Sequence, residues 1–192
     1  MESNSLWMRI ICKAGLGNSY DQRVILAYGL SKFSFIASNY IIISIIGILF
    51  HSLPAYLIYL TSLIILRTYA GGYHAPTKTI CFIMTCTIQF AGVLSIRLLP
   101  LNPWMAVPEF VILITIYILS PIEAQNKPLS TEEHTIYKKK TGKICILLSI
   151  LSILGIYLHI GYTTTAIFVS SLETFLLMIP SITKNNIQKF YE

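Results

Sequence analysis

Residues 33–81 read "FSFIASNYIIISIIGILFHSLPAYLIYLTSLIILRTYAGGYHAPTKTIC". Two apolar runs, 33–50 and 53–66, are joined by the short link "HSL" and followed by a polar break holding Gly71, Gly72, His74 and Pro76. Four further apolar runs lie at 80–99, 104–119, 144–161 and 163–180. A membrane-spanning helix needs about 17–25 residues. The runs 53–66 and 104–119 therefore need flanking residues or a locally thinned bilayer. The tight links "HSL", "PLNP" and "GYT" predict antiparallel neighbours. The chain has 192 residues, a mean hydropathy of +0.69 and only 11% charged residues. Soluble domains carry roughly 25% charge. The expectation is an all-α, polytopic membrane protein forming one domain over 1–192, with no internal repeat and no low-complexity segment.

Charge gives the expected topology. With the N-terminus inside, the inner segments are 1–32, 67–79, 120–143 and 181–192. They hold 13 of the 14 Lys and Arg residues, and Arg97 is the exception. Cytoplasmic loops are enriched in Lys and Arg, so six spans with both termini cytoplasmic are predicted. The net charge of +6 is explained by a membrane surface, not by nucleic acid. The opening "MESNSLWMRIICKAG" does not read as a signal peptide, since Glu2 precedes its basic residues and no long apolar core follows. Within the N-terminal segment 1–32, "LWMRIICKAGL" puts Leu6, Trp7, Ile10 and Ile11 on one face. That predicts an amphipathic helix lying on lipid, an anchor before it is a docking surface for an amphipathic partner.

The polar break at 67–81 carries the candidate chemistry. Gly71-Gly72 ends the second span or lets the chain turn where a side chain would clash. Pro76 suits the first turn of the next helix, and Thr77 its cap. Cys81 then falls in the first turns of the third span, where the positive end of the helix favours a thiolate. His74 precedes it by seven residues, about two helical turns, and a neutral His can take a thiol proton. Arg67 and Lys78 add positive charge that can favour a thiolate, hold an acidic group or stabilise an oxyanion. Each residue has a blander use. A Cys in a membrane helix is usually a small packer, Gly-Gly is usually a turn, and an Arg beside a span usually anchors it. The bare His-x6-Cys spacing is a weak signal. Cys81 and Cys86 are spaced C-x4-C, which is not a usual zinc pattern. The cytoplasmic side also disfavours disulfides for Cys12, Cys81 and Cys145.

The combination is more specific. "RTYAGGYHAPTKTIC" followed by "SPIEAQNKPLSTEEHTIYKKKTGK" resembles the AgrB family, the accessory gene regulator B proteins of Gram-positive quorum sensing. The resemblance covers nearly the whole chain: basic amphipathic start, six spans, the R-x3-GG-x-H-x6-C element and the N-K-P-L loop. It implies a membrane cysteine endopeptidase of the bacterial cell membrane with its site at the cytoplasmic face. Such an enzyme removes the C-terminal tail of a small AgrD-like precursor and promotes closure of an autoinducing peptide. It implies Cys81 as nucleophile and His74 as general base, with Arg67 and Gly72 at positions that the family's motif shares. A homodimer is implied by the resemblance alone. No third catalytic group is implied; Glu123, Asn126 and Asp21 are polar candidates to orient His74.

The remaining polar residues are read individually. Lys138, Lys139, Lys140 and Lys143 precede the fifth span and suit lipid phosphates or an acidic precursor tail. Asn126-Lys127-Pro128 reads as a turn, and with Glu123 it forms a candidate substrate loop. Gln89 and Glu173 fall near the middle of the third and sixth spans, where polar groups default to a functional hypothesis. Glu173 is expected to pair with Gln89 or a Tyr hydroxyl, or to line a peptide path. Glu109 is expected to pair with Arg97, and His51 and His159 to be merely solvated. No P-loop, GxGxxG or HExxH is present, so no cofactor or metal is expected. The alternative from another class is a non-catalytic peptide exporter or carrier.

Overall fold

A computed structural model describes residues 6–73, 78–99, 101–123 and 129–191, without the side chains of 78–79 and 184–191. His74, Pro76, Thr77, Asn126, Lys127 and Pro128 lie outside the described residues. Among the described residues seven α-helices are formed: α1 (Leu6–Lys13), α2 (Tyr20–Leu49), α3 (Leu53–Ala70), α4 (Lys78–Leu98), α5 (Ala106–Leu119), α6 (Thr131–Tyr157) and α7 (Gly161–Tyr191). A single 3-10 turn, Pro103–Met105, leads into α5. Five helices, all but α1 and α5, contain a stretch long and apolar enough to cross a bilayer. The run expected at 104–119 lies in the shorter apolar helix Pro103–Leu119. At 1.5 Å per residue that helix covers roughly 25 Å, less than the ~30 Å of a hydrocarbon core.

Two helices begin well before their apolar runs. The expected span 33–50 belongs to a helix starting at Tyr20, because Ser19 accepts a hydrogen bond from the Gln22 amide and Asp21 sits in the first turn. The segment 1–32 thus holds α1 and the first turns of α2. The span expected at 144–161 belongs to a helix starting at Thr131, where Ser130 and Glu133 form a capping box. An apolar run marks the part of a helix that suits lipid; the caps mark the helix itself. In α1 the expected face is also divided. Met8 and Ile11 pack against Ala27 of α2, while Leu6 and Ile10 are exposed.

The same device closes two tight turns. Gly47-Ile-Leu-Phe-His51 ends α2 and Gly155-Ile-Tyr-Leu-His159 ends α6. In both, the His is left-handed, with φ of 53° and 57°. His51 N–H donates to Ile48 O at 3.1 Å and Ser52 N–H to Gly47 O at 2.9 Å. His159 N–H donates to Ile156 O at 3.1 Å and Ile160 N–H to Gly155 O at 2.7 Å. These are Schellman caps. Both histidines are exposed, as expected, yet their backbone makes the turn.

Helices α3 and α7 form the centre, with α7 packed against α3, α4, α5 and α6. Tyr56, Tyr59, Leu60 and Leu63 of α3 lie in one core cluster with Val93 and Ile96 of α4 and Ala166 and Val169 of α7. The outward positions are apolar too, including Ile41, Ile45, Phe82, Phe90, Ile146 and Ile150, and helices apolar all round belong in lipid. Tyr59 is fully buried, and its ring fills the notch left by Gly92, where a Cβ would overlap the phenol. Gly92→Ala is expected to cost about 1–3 kcal/mol through overpacking. Thermal unfolding in detergent checks this: the melting temperature falls for Gly92→Ala.

Candidate active site

The second span ends in a loop held by backbone hydrogen bonds to two distant segments. Ala70 O, at the end of α3, accepts from Ile122 N–H at 2.9 Å, and Gly71 pairs with Ile122 in a parallel bridge. Gly71 has φ 80° and Gly72 has φ 131°, values that L side chains avoid. A Cβ on Gly71 would overlap Ile122 O, and one on Gly72 would press on Leu177 O at 3.3 Å. Tyr73 N–H then donates to Leu177 O of α7 at 2.9 Å. Pro180 lies three residues on inside α7 and lacks the N–H that would serve Leu176 O. The helix is thus loosened where it receives the loop.

Arg67 closes this frame. Its Nη2 donates to Tyr73 O at 3.1 Å, so both backbone groups of Tyr73 are engaged. The guanidinium is half-buried and lies within electrostatic reach of Cys81 and Glu173. Cys81 is the fourth residue of α4 and is half-buried. Thr85 Oγ1 donates to the Cys81 carbonyl at 2.8 Å, a back-bond of the kind polar side chains make in lipid. Glu173 Oε2 accepts from Tyr59 Oη at 2.6 Å, and the same hydroxyl approaches Ile88 O of α4 at 3.4 Å.

Arg67, Gly71, Gly72 and Glu173 thus lie where α3 and the loop after it meet α7, and Cys81 lies in the first turns of α4. Of the partners expected for Glu173, the tyrosine hydroxyl is the one found; Gln89 is buried separately on α4. Glu123 directly follows the bridge residue Ile122. Lys78 opens α4. Asp21 is exposed in the first turn of α2. Cys86 is exposed. The expected Glu109–Arg97 pair is not made. Glu109 is fully buried and accepts from Ser152 Oγ at 2.8 Å, while the Arg97 guanidinium stacks on the Phe50 ring at 4.6 Å. Burial inside the α5–α6–α7 core removes Glu109 from the outer rim where Arg97 lies. Among the described residues no three His, Cys, Asp or Glu side chains group as metal ligands.

The lysine run divides. Lys138 Nζ donates to Tyr117 O, to Ile118 O at 2.9 Å and to Ser120 O at 2.7 Å. All three ammonium donors thus serve the carbonyls that end α5. Lys140 sits over the Tyr69 ring at 4.9 Å, and that ring meets Tyr137 edge-on. The sequence reading missed Tyr59, Tyr73, Ile122 and Leu177. The last three act through backbone atoms and leave no side-chain signature.

The family model for accessory gene regulator B matches residues 3–180. The chain belongs to the AgrB family. It is 26% identical over 159 residues to a Clostridium perfringens (strain SM101 / Type A) protein described as AgrB-like, covering 74% of this chain and 72% of that one. No solved structure matches the chain significantly. AgrB membership, together with several apolar helices, makes this a multi-pass membrane protein associated with agr quorum-sensing peptide processing.

The AgrB loop depends on Gly71 by the geometry above. Gly71→Ala is expected to cost about 1–3 kcal/mol from backbone strain and to disrupt precursor processing. Gly29→Ala, where an added Cβ meets open space, is expected to leave stability level or slightly raised. Thermal melts of the two variants, with processing followed by mass, separate the cases.

Proposed function

We propose that this AgrB protein is a membrane cysteine endopeptidase that cuts the C-terminal tail from a small AgrD-like precursor and promotes its cyclisation. One observation carries the reading: Tyr73, fastened through both N–H and C=O, fixes the backbone one residue before His74, and the Arg67 that holds it is within electrostatic reach of Cys81. A general base one residue beyond a fixed backbone point is well placed for positional control. Cys81 Sγ attacks the scissile carbonyl, and its proton passes to His74. The tetrahedral oxyanion faces the positive charge of Arg67. His74 then protonates the leaving amine, the C–N bond breaks, and an acyl thioester on Cys81 remains. A thiol or hydroxyl within the precursor attacks that thioester, passes its proton through His74, and releases Cys81 as the ring closes. The thioester keeps the energy of the cut bond, which attack by water would lose. A site at the membrane edge excludes water and favours the ring over the linear product.

The proposal includes six spans, with α5 as the short one, both termini cytoplasmic, the site at the cytoplasmic face of a Gram-positive cell membrane, and a homodimer. The lysine asymmetry and the AgrB resemblance support it. The carrier alternative drew on Glu173 and Gln89 as a peptide path. Glu173 is occupied by Tyr59, which favours the structural use of that carboxyl group.

Co-expression with a candidate precursor tests the reading by mass. The tail is lost in wild type and in Cys86→Ala, and retained in Cys81→Ala and His74→Ala by a factor of at least about 10². Equal processing in Cys81→Ala and wild type would overturn the mechanism. Mainly linear product from purified protein in a bilayer would overturn the cyclisation step.

A further inference from the structure

Arg67 is the long side chain on which the candidate site turns, and its position needs explaining. An arginine near the end of a membrane helix ordinarily extends its head toward the lipid headgroups. Its flexible stem carries about 2 kcal/mol of rotamer entropy. Here the guanidinium turns to the inside of the bundle, where one bond to Tyr73 O at 3.1 Å is its described contact. Glu173 is within electrostatic reach of it without forming a direct ion pair. Glu173 is itself fixed, since Tyr59 Oη donates to its Oε2 at 2.6 Å. Tyr59 is in turn immobilised, fully buried and seated in the Gly92 notch of α4.

The spacing along the helices makes this a connected device. Tyr59 and Arg67 are eight residues apart on α3, about two turns. Glu173 and Leu177 are four apart on α7, about one turn. One turn of α7 therefore holds Arg67 by charge and Tyr73 by its backbone. Ile88, whose carbonyl meets the Tyr59 hydroxyl at 3.4 Å, is seven residues from Cys81 and on the same face of α4. Tyr59 thus touches all three helices that build the site.

We propose that Glu173, held by Tyr59, is a positioning residue: its carboxyl group draws the Arg67 guanidinium into the bundle and keeps it beside Cys81. The inference rests on the peptidase reading for what the site is used for. Its geometry is independent of that reading. Glu173 acts through Arg67 and touches no reacting atom.

The test reads the Cys81 thiol directly. The full chain, with Cys12, Cys86 and Cys145 replaced by Ala, is placed in lipid nanodiscs and treated with iodoacetamide at pH 7. Alkylation reads the reactivity of the thiol in its surroundings. Glu173→Gln is expected to slow alkylation roughly three- to ten-fold, because the guanidinium is no longer held near the thiol. Arg67→Gln slows it as much, and adding Glu173→Gln to Arg67→Gln slows it no further. Glu173→Asp, which keeps the charge, recovers part of the rate. Where Glu173→Gln does not fold, Tyr59→Phe carries the test and slows alkylation in the same direction. An unchanged or faster rate in Glu173→Gln, or additive slowing in the double variant, overturns the proposal. Slowed alkylation alongside full precursor cleavage by Cys81→Ala would keep this inference and remove the peptidase reading.

Discussion

The bond from Tyr59 to Glu173 sets much of the geometry of this protein. A carboxyl group midway along an apolar helix is costly unless hydrogen-bonded, and the partner it finds is on the neighbouring central helix. That choice fixes the rotation of α3 against α7. It also draws α4 close, because the Tyr59 ring fits only where α4 presents Gly92. Once the three helices are set, Arg67, Leu177 and Cys81 converge two turns or less from the bond. The buried hydroxyls of Ser170, Ser171 and Thr174 return to carbonyls of α7 itself, so they leave that face thin without adding cross-helix demands.

A second constraint shapes the loop. Irregular backbone beside a bilayer must find hydrogen-bond partners within the protein. The chain after α3 meets this demand twice, at Ile122 and at Leu177, and both partners are backbone. Gly71 and Gly72 are needed because the loop lies so close to those carbonyls that a Cβ would displace them. The glycine pair is therefore a splice joining α3 to the α5–α6 connection and to α7. The same splice delivers Tyr73 to Arg67.

These two constraints explain what the sequence disclosed. Apolar runs located α3, α4 and the lipid-suited parts of the others, because burial in hydrocarbon is an average over many side chains. They do not say where α2 and α6 start, which single caps at Ser19 and Ser130 decide. The capping pattern Ser130-x-x-Glu133 was present to be read. At the candidate site, Arg67 and Cys81 stood out by their side chains, and the glycine pair by lacking one where the backbone passes closest. Ile122 and Leu177 were not, since any residue supplies the same amide. Glu109 shows a third kind of failure. Its charge suggested an ionic partner, but helix rotation decides which side chains meet, and it met Ser152.

The lysine run argues for the same view of charge in this protein. Four lysines before a span look like one electrostatic surface, yet Lys138 is committed to the end of α5 and Lys140 to an aromatic ring. Helix α5 is short, and an ammonium with three donors is an efficient cap for its last carbonyls, beside the Ser120 hydroxyl that also donates to Tyr117 O. What remains for lipid or for an acidic peptide is Lys139 and Lys143. Charge that reads as collective in the sequence is therefore divided in the fold, and the cation that holds the loop after α3 is Arg67. A guanidinium suits that place better than an ammonium would. It holds Tyr73 O through one of five donors set in a rigid fork, so fixing the loop does not exhaust its hydrogen-bonding capacity.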